Sequence, residues 1–186
     1  HLSIRRQRQM CIRDSAKGLL RTALRSEDPV IFLEHAALYG IKGPVPDGDY
    51  TVPFGQAAVA RRGRHVTVVA YSRMLHLALA AADELAREGV ECEVVDLRSL
   101  RPLDMDTVAE SVRRTHRAVV VQEQWPLFGA AAEVAAGIYE RCFDDLDAPV
   151  ARVTGEDVPA PYARNLEKLA FPDEDRIARA VRRVLQ

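Results

Sequence analysis

The sequence holds few of the residues and motifs on which redox, metal or membrane chemistry usually rests. Cysteine occurs three times in 186 residues, at Cys11, Cys92 and Cys142, widely separated and with no CxxC spacing. That leaves no basis for a disulfide framework and fits a reducing compartment, with Cys92 and Cys142 as small core residues. The five histidines are scattered, with neither HExxH nor any paired ligand spacing, so no metal site is expected. No apolar run approaches the roughly 20 residues that cross a bilayer. The formal charge is -1, from 26 basic against 27 acidic side chains, so neither nucleic acid nor an anionic membrane is an expected partner. GxGxxG, GxxxxGK[ST] and GxSxG are all missing, which removes the motif-level case for a dinucleotide site, a P-loop or a hydrolase elbow.

What is present is a chain with 48% hydrophobic and 28% charged residues, the balance of a globular domain able to bury its own core. From Val66 onward, strands and helices alternate. "HVTVVAY" (His65–Tyr71) reads as a buried strand, and Met74, Ala78, Ala81 and Leu85 then form one apolar helical face that Gly89 ends. "VECEVVDL" (Val90–Leu97) is the next strand, followed by a helix carrying Met105, Val108 and Val112. "RAVVVQE" (Arg117–Glu123) is a third strand, an alanine-rich helix follows, and "VARVTG" (Val150–Gly155) is a fourth. The last helix has Asp173, Glu174 and Asp175 at its start, Arg182 and Arg183 at its end, and Ile177, Val181 and Val184 inward. These charges complement the helix dipole. The alternation predicts an α/β fold with a mostly parallel sheet and helices on both faces.

The first sixty residues read differently. "HLSIRRQRQMCIRDS" has four arginines and one acid, without sustained periodicity, and is set apart as a non-native or disordered tail (1–15). "AKGLLRTALR" predicts a helix with Leu19, Leu20, Ala23 and Leu24 on one face, and "VIFLEH" (Val30–His35) a short, fully buried strand. Residues 41–60, rich in glycine and proline, read as a linker.

Ligands of such folds bind at turns following the strands' carboxyl ends. At "YSRM" (Tyr71–Met74), Arg73 and backbone amides could hold an anion, or Ser72 simply caps the helix. His35, after Glu34 at a strand end, is a candidate for acid–base work or a hydrogen-bonded structural residue. Glu123, Gln124 and Trp125 form a turn in which Trp125 either anchors an interface or covers a satellite core. No turn carries a complete catalytic set.

Six segments occur in order: "PVIFLEH", "YTVPFGQA", "VTVVAYSRM", "DLRSLRPLD", "THRAVVVQEQWP" and "LDAPVARVTGEDVPAPYARNLEKLAFP". Together they resemble the β subunit of thiamine-diphosphate-dependent 2-oxo acid dehydrogenases, of the pyruvate or acetoin type, over Ala16–Gln186. The resemblance implies a remnant of a pyrimidine-binding domain at 16–40 and a transketolase C-terminal-like, three-layer domain at 61–186. It implies that the chain is part of a longer subunit. The intact enzyme would use thiamine diphosphate and magnesium, with an α subunit and a second β subunit in an α2β2 assembly. It would decarboxylate a 2-oxo acid and acylate a lipoyl group. This chain alone is expected to bind no cofactor and to be inactive.

Within "LRSLRPLD", the resemblance suggests that Arg98 and Arg101 position neighbouring chains. Local tethering by both is the alternative. The peripheral-subunit-binding domain of a lipoyl acyltransferase core is assigned to Asp173, Glu174, Asp175 and the carboxylate of Gln186, with dipole compensation as the alternative. The setting would be bacterial cytoplasm or mitochondrial matrix. A transketolase or deoxyxylulose-phosphate synthase C-terminal domain is the alternative enzyme, and a stand-alone binding module the alternative class.

Overall fold

The computed structural model describes residues 15–43 and 45–186; the tail expected before them, Ser15 apart, lies outside the described residues. Helix α1 runs through residues 15–25, and an extended segment follows, broken by a 3-10 turn at Ala36–Leu38. The remaining elements are β1 (Ala58–Arg61), β2 (Val66–Ala70), α2 (Arg73–Arg87), β3 (Cys92–Asp96), α3 (Met105–Thr115), β4 (Ala118–Val121), α4 (Ala130–Cys142), β5 (Ala151–Val153), α5 (Arg164–Ala170) and α6 (Glu174–Val184).

The five strands form one sheet in the order β1-β3-β2-β4-β5. β1 is antiparallel to β3, and the other pairings are parallel. Every residue of β2, β3 and β4 is buried, as expected of a sheet covered on both faces. One face packs against Met74, Ala78, Leu85, Ile177 and Val181 of α2 and α6. The other packs against Val108, Val112, Val134 and Ile138 of α3 and α4. The three-layer α/β architecture therefore stands as read from the sequence. Cys92 and Cys142 are buried free thiols, and burial pushes Cys92 up to about 11, which keeps it unreactive.

Local signals end the helices where expected. At the end of α2, Gly89 takes φ +84°, its amide donating to Ala86 O at 3.2 Å while Val90 N donates to Leu85 O at 3.0 Å. This is the paired closure of a Schellman motif. At the start of α6, Asp173 accepts from Arg176 N. Ser72 is a correction: it stands at the N-cap of α2 at φ 53°, and its side chain makes no capping bond.

Two further corrections concern the first sixty residues. Val30–His35 is neither paired as a strand nor buried, for Ile31 and Leu33 are 88% and 80% exposed. Its β-type composition needs a neighbouring strand for burial, and none pairs with it among the described residues. On α1, Leu19 is buried but Leu20 and Leu24 are exposed. The helix is held through Thr22, which donates to Val52 O at 2.6 Å, and by the close approach of Gly18 to Val52. The supposed linker also ends in a strand, since β1 begins at Ala58. That short edge strand carries Arg61, paired with Asp83, and lacked the length and alternation that would have announced it.

The turn between β3 and α3 ties this connection to the domain. Gly55 N donates to Ser99 Oγ at 2.9 Å, and Ala57 N donates to Asp104 Oδ2 at 2.8 Å. Asp104 also caps α3, accepting from Thr107 N at 3.0 Å and from the Thr107 hydroxyl at 2.7 Å. Burial pushes this carboxyl up, but the bonds from Thr107, Ala57 and Asp106 outweigh it and hold it below the usual range. A depressed carboxyl stabilises the fold above its unfolded pKa and loses that contribution as pH falls through the folded value. Asp104→Ala is therefore expected to cost about 1 kcal/mol at pH 7 and less in acid. Urea titrations of both proteins at pH 7 and pH 3 measure this, and a loss independent of pH would contradict it.

Candidate functional site

The direction of chain progression reverses between β2 and β4, for β3 lies on one side of β2 and β4 on the other. In open α/β sheets the crevice at the carboxyl ends of such strands is the usual ligand position. Here it holds Arg73 at the start of α2, Glu123 just beyond β4, and His35 from the extended segment. Arg73 donates to Glu123 Oε1 at 2.7 Å, and His35 Nε2 lies 2.7 Å from Glu123 Oε2. His35 Nδ1 accepts from Ala37 N at 3.2 Å, so Nε2 carries the proton and donates to the carboxylate. Tyr71 lies close by, its phenol pushed up by burial and by the charge of Glu123.

Both oxygens of Glu123 are therefore engaged by side chains, one from each of two distant segments. Through this contact His35, singled out from the sequence, links the extended segment to the residue just beyond β4. Arg73 is turned toward a carboxylate of its own chain. No group of three or more His, Cys, Asp or Glu able to hold a metal ion exists among the described residues. Thiamine diphosphate with magnesium needs oxygen donors for the cation and free donors for the diphosphate. The cluster offers neither, so these residues do not fit that cofactor.

Beside the cluster the surface is apolar. A groove of about 170 Å³ is lined by Trp125, Val158, Ala160, Ala170 and Phe171 among others. Trp125, Leu127 and Phe128 are 52%, 57% and 101% exposed, and Tyr162 is 104% exposed. The loop after β4 thus presents three large apolar side chains to solvent.

Its conformation is set by Gln122, which is fully buried. Gln122 Nε2 donates to Trp125 O at 2.8 Å, and its Oε1 accepts from Ala131 N at 2.7 Å. One side chain thus caps α4 and shapes the loop displaying Trp125. Gly129 makes room, since a Cβ there would lie 2.1 Å from the Gln122 amide. At Gly155, a Cβ would meet Glu123 O at 2.5 Å, so the loops after β4 and β5 approach at backbone distance.

The family model of the transketolase C-terminal domain matches residues 55–177. The chain belongs to that family. Among curated proteins this transketolase C-terminal domain is similar to the mitochondrial pyruvate dehydrogenase E1 component subunit beta-2 of Oryza sativa subsp. japonica. The two are 48% identical over 174 residues, 91% of this chain and 46% of that protein. The pyruvate dehydrogenase E1 component subunit beta of Rickettsia felis is 48% identical over 168 residues, 90% of this chain and 52% of that protein. The chain thus spans about half the length of these relatives. Among solved structures, a split gene transketolase in an inactive β4 tetramer has a TM-score of 0.62 and 29% identity. That match covers 77% of this chain and 45% of that one.

The other residues singled out from the sequence of this transketolase C-terminal domain are spread over the molecule. Arg98 takes φ 57°, with its amide donating to Asp96 Oδ1 at 3.1 Å and its guanidinium 3.9 Å from Asp96 Oδ2. Arg101 is exposed beside Pro102, whose preceding peptide bond is cis. The two arginines thus part company, one turned inward and one outward. Asp173 is occupied as the α6 cap, while Glu174 and Asp175 fill the first turn. Gln186 lies beyond the other end of this 11-residue helix, about 16 Å away at 1.5 Å per residue. The acids and Gln186 thus stand at opposite ends of α6.

Sequence reasoning passed over Gln122, Phe128 and Tyr162. Nothing marks Gln122 in the sequence except its place after four β-branched or small residues. The structure predicts that Gln122→Ala lowers stability by about 2 kcal/mol, because it uncaps buried amide groups. Glu123→Gln, in a partly exposed ion cluster, should cost under about 1 kcal/mol. Equal losses in urea unfolding would contradict this division.

Proposed function

We propose that the chain is the C-terminal assembly domain of the β subunit of a 2-oxo acid dehydrogenase decarboxylating component, with pyruvate as the substrate of the whole enzyme. The observation that carries this reading is the aromatic surface at the carboxyl ends of the strands, on a domain 48% identical to pyruvate dehydrogenase E1 β subunits. The cluster at the switch point is spent on internal pairing. The domain's contribution is therefore to hold neighbouring chains, and thiamine diphosphate with magnesium would be held by other parts of the assembly.

Trp125, Leu127 and Phe128 would contact the α subunit or the second β subunit of an α2β2 assembly, with Arg101 as an exposed guanidinium available for carboxylates. Arg98 would act only indirectly, by shaping the turn. Residues 16–40 belong, in this reading, with a preceding pyrimidine-binding domain. The exposed Ile31 and Leu33 on an unpaired extended segment support that assignment, because a neighbouring sheet would cover them. Contact with a lipoyl acyltransferase core, if made by α6, would use Glu174 and Asp175 at its start and the carboxylate of Gln186 beyond its end. The relatives are bacterial and mitochondrial, and a bacterial cytoplasm or a mitochondrial matrix is the proposed setting.

The test is association. Mixed with a pyruvate dehydrogenase E1 α subunit, the chain should sediment as a complex, and the emission of Trp125, its one tryptophan, should shift to the blue. Trp125→Ala should weaken the complex about 30-fold, the effect of losing about 2 kcal/mol at a hot spot. A chain that stays free, with unchanged emission, would overturn the reading.

A further inference from the structure

On the opposite side of β5 from β4, no strand among the described residues pairs with the sheet. β5 is the last strand of the order, and Gln122 N donates to Val153 O at 2.9 Å, so Val153 directs its backbone groups toward β4. Peptide groups alternate along a strand, so those of Arg152 point outward. Beside this edge lies a groove of about 220 Å³ lined by Arg152, Val153 and Thr154 of the edge and by Arg176, Arg179, Ala180 and Arg183 of α6. An open edge normally invites pairing with another chain, and four arginines at the edge select what can approach.

The arginines are not equivalent. Arg176 donates to Thr154 O at 2.8 Å and pairs with Glu156 at 2.9 Å, which holds the helix against the end of β5. Arg152 donates to Pro126 O at 3.1 Å. Arg179 and Arg183 have no hydrogen-bond or ion-pair partner among the described residues. They stand one helical turn apart, about 6 Å along the axis. Alternate side chains of an extended peptide recur about every 6.8 Å. A row of cations at that spacing, running past the unpaired N–H and C=O of Arg152, matches a strand with acidic residues at alternate positions. The flanking Val150 N, which donates to the Tyr139 hydroxyl at 2.8 Å, and Thr154 O, which accepts from Arg176, limit the pairing to that residue. A compact anion such as phosphate would instead be met by cations converging on one point.

We propose that this edge binds an extended acidic segment of a partner protein by strand addition. The segment pairs with the outward peptide groups of Arg152 and places two carboxylates on Arg179 and Arg183. Backbone pairing supplies much of the affinity and the arginines the selectivity. Glu156 forms the acidic rim and disfavours a ligand whose carboxylate lies beyond the Arg176 end.

The test uses the full chain and three probes. One is a labelled octapeptide of alternating glutamate and threonine, the second is its glutamate–proline counterpart with the same charge, and the third is tripolyphosphate. The first should bind with an affinity that falls steeply with salt. Arg179→Gln and Arg183→Gln should each weaken it about tenfold, the effect of losing one charge-assisted hydrogen bond. Both positions are on the outer face of α6, and an unchanged circular dichroism spectrum would show the variants folded. The proline peptide, which lacks the backbone N–H at every second residue and is held there at a φ of about -65°, away from that of a paired strand, should bind at least tenfold more weakly. Equal binding of both peptides, or tripolyphosphate binding as tightly as the first, would reduce the site to a non-specific anion patch and overturn the proposal. No binding, or self-association lost in the same variants, would overturn it as well.

Discussion

Burial of the central strands on both faces is the constraint from which the rest of the molecule follows. Because β2, β3 and β4 expose no residue to water, polar groups among them must be satisfied internally. Glu93 is the clearest case: almost wholly buried, it pairs with Arg114 and accepts from Ser111 at 2.6 Å. Thr67, Ser111 and Thr115 form a hydroxyl chain beside it. These groups anchor α3 to the sheet and are unavailable to a ligand. What a partner could meet therefore lies at the ends of the strands and along the outer side of β5. Ion pairing, aromatic exposure and unpartnered arginines all occur there.

At the carboxyl ends, Gln122 links that scaffold to the surface. It stands where β4 leaves the sheet, deep enough to be fully buried and late enough to reach the loop after it. A loop bearing an exposed tryptophan and a fully exposed phenylalanine would otherwise collapse onto the nearest apolar surface. Gln122 and the approach of Gly129 prevent that by holding the loop from within. On the same face, Glu123 gathers Arg73 and His35, so the segment before the domain and the helix after β2 meet on one carboxylate. The geometry is that of a platform with fixed fittings, which agrees with the assembly role proposed for it.

The sheet and its helices were legible because period and burial agree: Met74, Ala78, Ala81 and Leu85 repeat on one helical face and are all buried. Gly89 and Asp104 were legible as punctuation for the same reason, since their local bonds are made by nearest neighbours in sequence. The failures share the opposite property. Val30–His35 has a strand's composition, but strandness is completed by a partner, and composition does not supply one. β1 is four residues long and earns its place by pairing with β3 far along the chain. Arg98 and Arg101 look alike in "LRSLRPLD", yet a positive φ at Arg98 turns one inward. The union of His35 with Glu123 spans 88 positions, beyond any local pattern.

The central claim is that the carboxyl-end face, not an enclosed site, is where this domain works. Hydrogen–deuterium exchange on the chain, with and without a pyruvate dehydrogenase E1 α subunit, tests it most directly. The account predicts slower exchange in residues 123–129 and 156–169 on addition of the α subunit, with little change in the core strands. Unchanged exchange in both loops, or protection confined to the amino ends of the strands, would contradict it.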